Sequence, residues 1–184
     1  RIVPRKKYGI ELLLGTELNI MNARGEIDLP DSVLERLDIA IASIHMPCFK
    51  DERTIDNVTA AYEKVMEHPY VDIIGHPDDG RFPVDMKRLV KKAKETGTLL
   101  EVNNSSLRPE GFRENTKENC LEMVKECKAQ GVMIVLGSDS HVDADIAEYP
   151  YAEEILRETD FPEELVANVS LEKLKACIKH GKKL

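Results

Sequence analysis

The sequence predicts an α/β fold in which parallel strands are joined by crossover helices. Three observations carry the prediction: short apolar runs recur along the 184 residues, stretches with helical periodicity separate them, and polar, chemistry-bearing side chains follow the runs at one end. At this length the chain can bury one core, and residues 1–184 read as a single domain.

The strand candidates, in order, are residues 10–14, 39–44, 71–74, 99–102 and 132–136, with the short stretch VANVS at 166–170 as a further one. Each is short and aliphatic, as strands covered on both faces are. Between them, Ile55, Val58, Tyr62, Val65 and Met66 repeat at helical spacing, as do Met86, Leu89, Val90 and Ala93, then Cys120, Met123, Val124 and Cys127. Gly97 and Gly131 stand where helix C-caps belong, and Thr116 and Ser170 where N-caps belong. The lysines between Lys87 and Lys94 read as a solvated helix face.

Composition narrows the class. The chain is 42% hydrophobic, lacks any apolar run of the ~18 residues a membrane span needs, and opens without a signal-peptide pattern, so a soluble cytoplasmic protein is expected. A net charge of -8 and the lack of a basic stripe argue against nucleic acid and anionic membranes as partners. Cys48, Cys120, Cys127 and Cys177 include no C-x-x-C pair and read as reduced core residues.

Aligned by their C-terminal ends, the strands show a common feature. LLLGTE ends at Glu17, IASIH at His45, IIGH at His76, LLEVNN at Asn103 and Asn104, and VLGSDSH at Asp139 and His141. In parallel α/β folds these ends form one face, so residues far apart in sequence converge there. Taken singly, Glu17 could be a turn acid, His45 a hydrogen-bonded structural residue and Asp139 an N-cap. Taken together, three of the 5 histidines and two acids at strand ends point to a transition-metal site, since mixed imidazole and carboxylate ligands suit Zn²⁺, Mn²⁺ or Fe²⁺. His68 and His180 lie near helix C-termini and read as structural.

The stretches GTELNI, IASIHMP, IIGHPDD, LLEVNNSS and LGSDSH resemble successive motifs of the PHP (polymerase and histidinol phosphatase) family, with EVNNSS favouring its YcdX-like phosphatase branch. The resemblance runs from Arg1 almost to Leu184. It implies an irregular (β/α)7 barrel with up to three metals at its C-terminal face, zinc being the expected ion and manganese or iron the alternatives. It further implies metal ligation by Glu17, His45, His76, Asp139 and His141, with Glu17 bridging two ions. The implied function is hydrolysis of small phosphate monoesters by a metal-activated hydroxide, with Asp139 or His141 protonating the leaving alcohol. Asn103, Arg108 and Arg113 are the substrate-binding candidates, and Asn104 and Ser105 share their face.

The family's opening H-x-H and T-D-H motifs do not occur in the sequence. The chain is therefore expected to lack the first two strand-helix units of the barrel, to leave its first strand with an unpaired edge, and to associate with copies of itself. Three other readings stand beside the phosphatase: a PHP module serving a DNA polymerase, an inactive metal-binding fragment, and a metal-dependent amidohydrolase.

Overall fold

A computed structural model describes residues 6, 7 and 9–180. Five parallel strands form the main sheet in the order β3 (Gly15–Asn19), β4 (Ile39–Ser43), β5 (Ile73–Ile74), β6 (Leu99–Asn103) and β7 (Ile134–Gly137). They are preceded by an antiparallel pair, β1 (Lys6–Lys7) and β2 (Ile10–Glu11). Helices α1 (Asp31–Leu34), α2 (Ile55–Val65), α3 (Met86–Thr96), α4 (Thr116–Gln130), α5 (Pro150–Glu158) and α6 (Leu171–Cys177) complete the regular structure. The strand-helix alternation and parallel pairing agree with the expected α/β class.

The first strand departs from expectation. The apolar run at 10–14 splits: Ile10 and Glu11 pair backwards with residues 6 and 7, and the parallel strand starts only at Gly15. A Cβ on Gly15 would lie 2.6 Å from Ile39 Cγ2, so this glycine is what lets β3 approach β4. Ile10 is 69% exposed, whereas Leu18 and Ile20 are fully buried and anchor the strand. At the far end, VANVS forms one parallel bridge, Val166 to Ile134, and then a 3₁₀ turn.

The helix readings fare better. Gly97 (φ +68°) and Gly131 (φ +69°) close α3 and α4 in the left-handed conformation that glycine adopts without a side-chain clash. Ser170 caps α6 by accepting from Lys173 N. Thr116 is not the N-cap of α4; Asn115 is, in a left-handed conformation (φ +51°) that an asparagine tolerates better than a β-branched threonine.

Strand alternation divides the core in two. One face of the sheet, with Leu18, Ala42, Ile74, Leu100 and Ile134, packs under the helices against Tyr62, Val65, Leu89, Val90, Met123 and Val124. The other face carries Ile41, Ile73, Leu99 and Val135, covered by Ala167 and Ile178 from the C-terminal segment. Further along the same strands that second face turns polar, with Glu17, Ser43, Glu101 and Asn103 in phase with those apolar residues. The site is thus built where an apolar floor gives way to polar residues on the same strands.

Below that floor, His180 is buried against Asp72, as a structural role for His180 requires: its Nδ1 lies 2.6 Å from Asp72 Oδ2 and its Nε2 3.1 Å from the Leu34 carbonyl. Cys120 and Cys127 are core residues with no exposed surface, while Cys48 and Cys177 are only half-buried, and all four are free thiols. No helix among the described residues is long and apolar enough to cross a membrane.

Candidate metal centre

Glu17 projects from β3, His45 follows β4 by two residues, and His76 follows β5 by two residues. Parallel register brings them to one end of the sheet. His76 Nε2 lies 3.1 Å from Glu17 Oε1 and 3.2 Å from His45 Nε2, and His45 Nε2 lies 3.4 Å from Glu17 Oε1. Ligand atoms held tetrahedrally at the ~2.0–2.1 Å bonds of zinc stand about 3.3–3.4 Å from each other. The three separations, 3.1–3.4 Å, are therefore of the size that three ligands of one such ion would need.

The surroundings prepare the trio for a cation. His45 Nδ1 pairs with Asn19 Oδ1 at 2.8 Å, and Asn19 is itself held by Asp28 through a 2.6 Å bond from Nδ2. With Nδ1 committed to Asn19, loss of the Nε2 proton would leave that nitrogen's lone pair facing the site, as metal-ligating imidazoles require. In the cation's absence, hydrogen bonds from His45 and then His76 hold the Glu17 carboxyl well below the usual carboxylate range. The His76 side chain is 3% exposed, against 33% for His45 and 42% for Glu17, so the site opens to solvent on the β3–β4 side.

Asp139 and His141 lie apart from this trio. Asp139, at φ +49°, receives Asn103 Nδ2 at 3.3 Å and the Arg113 guanidinium at 3.3 and 3.4 Å. His141 is 85% exposed and contacts the Asp139 carbonyl through Nδ1 at 3.0 Å. Arg113 is nearly buried and also donates to Ser106 Oγ at 2.8 Å, whereas Arg108 sits at the surface, paired with Asp145 at 2.7 Å. The asparagine doublet splits its duties: Asn103 faces the site, while the Asn104 carboxamide oxygen accepts from Tyr151 N and Ala152 N and so anchors the start of α5.

Among the buried acids that the alignment of strand ends does not pick out are Glu101 and Asp78. Glu101 lies in the middle of β6, where all five residues are buried, and Asp78 lies just past His76 at 1% exposure. The signal for Glu101 was present: a carboxylate inside an otherwise aliphatic strand. Burial pushes Asp78 up to about 7, against the opposing pull of Arg113. The folded state then keeps a proton that the unfolded chain releases, so this group lowers stability as pH rises from the unfolded value of 3.8 to about 7. Asp78→Asn is expected to remove up to roughly 4 kcal/mol of that pH dependence. Urea midpoints at acid and neutral pH would check this, and parallel losses in both proteins would refute it.

No protein-family model matches the chain. Curated proteins named "Probable phosphatase" do: one from Clostridium novyi (strain NT) is 45% identical over 184 residues, covering 100% of this chain and 74% of that protein. One from Acetivibrio thermocellus is 41% identical over 182 residues, covering 99% of this chain and 74% of the relative. A third, from Caldanaerobacter subterraneus subsp. tengcongensis, is 38% identical over 183 residues, with 100% and 71% covered.

Proposed function

The chain belongs to the family of these bacterial proteins named "Probable phosphatase", and on that premise we propose that it hydrolyses small phosphate monoesters at a metal centre held by Glu17, His45 and His76. The observation that carries the reading is the 3.1–3.4 Å triangle of two imidazole nitrogens and a carboxylate oxygen. A divalent cation there, zinc before manganese or iron, would acidify a water and polarise a phosphoryl oxygen. The expected PHP barrel is supported by the five-stranded parallel sheet and by the delivery of all three ligands to one end of it.

The protein's own groups supply the rest. His141, exposed at the rim and tethered to the Asp139 carbonyl, protonates the leaving oxygen as the ester breaks. Asp139, on the β7 side, would serve a neighbouring ion rather than the one held by the trio, and the Arg113 guanidinium beside it adds positive charge where the phosphoryl oxygens gather. Arg108, half-exposed and paired with half-buried Asp145, could exchange that partner for a substrate phosphate. Acidic overall charge favours a small phosphorylated substrate over nucleic acid.

The test is turnover of a chromogenic phosphate monoester by the purified chain. Activity that disappears on chelation and returns with Zn²⁺ or Mn²⁺ is expected; turnover that persists after complete metal removal would defeat the reading.

A further inference from the structure

Glu101 is out of place by the ordinary logic of burial. A carboxylate in a strand with no exposed residue costs free energy unless something holds it, and a leucine, as at Leu99 on the same face, would serve the core better. Its contacts explain its presence. Glu101 Oε2 accepts the His76 backbone N–H at 2.9 Å and Asn103 Nδ2 at 3.2 Å. The same Nδ2 lies 3.3 Å from Asp139 Oδ2. One carboxylate on β6 is thus connected to the turn after β5 and to the turn after β7.

The neighbouring strands are cut to receive it. A Cβ on Gly137 would collide with Glu101 Oε1, and one on Gly75 would stand 3.5 Å from Oε2 while colliding with Ser43 Oγ. These glycines come just before the two turns that carry His76 and Asp139. Both of those residues hold positive φ, +31° and +49°, a conformation that is unfavourable for a residue with a side chain and needs outside support.

We propose that Glu101, seated in the slot left by Gly75 and Gly137, is a positioning residue: it fixes the His76 backbone, so that the imidazole meets the cation in place, and through Asn103 it holds the Asp139 carboxylate beside the site. The inference rests on the metal reading of Glu17, His45 and His76.

The test compares cation affinity in Glu101→Met and Glu101→Gln with the unaltered chain, using Zn²⁺ competed against a chromophoric chelator and the visible absorption of bound Co²⁺ as a report on ligand geometry. Loss of groups that orient a metal ligand lowers affinity about 10–100-fold. The methionine variant, which fills the slot without an acceptor, is expected to lose that much and to change the Co²⁺ spectrum. The glutamine variant keeps an acceptor oxygen and is expected to recover most of the affinity. If the methionine variant does not fold, Gly137→Ala, which pushes the carboxylate out of its slot, should show the same loss. Wild-type affinity and spectrum in the methionine variant, or in Gly137→Ala where that one is used, would overturn the proposal. Failure of the unaltered chain to bind either ion would instead overturn the metal reading itself.

Discussion

Replacing His76 with asparagine is expected to abolish cation retention and to lower phosphatase turnover on the order of 10³-fold, the scale of losing an electrostatic stabiliser of the reaction. Asparagine is the informative replacement because it tolerates the φ of +31° at this position, so the loss would report the imidazole rather than the backbone. Glu17→Gln should behave alike, since it keeps the shape of the carboxylate but removes the charge facing His45 and His76. His68→Ala is the control. That imidazole pairs with Asp31 at 3.2 Å and takes no part in the triangle, so its metal content and turnover should stay near those of the unaltered chain. Elemental analysis of the four proteins gives the answer directly; equal metal in all of them would dissolve the site.

Asp72→Ala is expected to be the most destabilising single change away from the site, by about 3–5 kcal/mol, because it removes one partner of a fully buried pair and strands the other. The Asp72 carboxylate accepts from Ala40 N at 2.8 Å, from His180 N at 3.1 Å and meets His180 Nδ1 at 2.6 Å, with neither side chain more than 1% exposed. Without it, the start of β4 and the last turn of the described chain both lose an acceptor, and Ile178 loses the anchor beside it. Urea unfolding of Asp72→Ala and of Asp31→Ala, whose carboxylate is exposed, separates the two cases. A midpoint shift no larger for Asp72 than for Asp31 would contradict this account.

Much of this architecture was legible in the sequence because buried parallel strands and amphipathic helices leave periodic marks. The seams of α2, α3 and α4 and the glycine caps at Gly97 and Gly131 were read directly. The run at 10–14 misled because apolarity alone does not say whether a segment will pair forwards or backwards; the close approach permitted by Gly15 decides where β3 begins. Glu17, His45 and His76 converge as strand-end reasoning requires, since the rule depends only on register. Glu101 and the Asp72–His180 pair were not found that way. Their roles depend on which backbone groups of other strands they meet, and a pattern within one segment holds no record of that.

Among the described residues, β3 pairs along one side only, with β4. Glu17 therefore sits on an edge strand of the main sheet, and its two partners come from just past the ends of β4 and β5. A cation bound by all three would act as a rivet through three successive strands, and by mass action occupancy would add to folding stability, ~4 kcal/mol at a thousand times the dissociation constant. Chemistry and cohesion would then share one ion, and its depletion would loosen the sheet from β3 inward as well as silence the reaction.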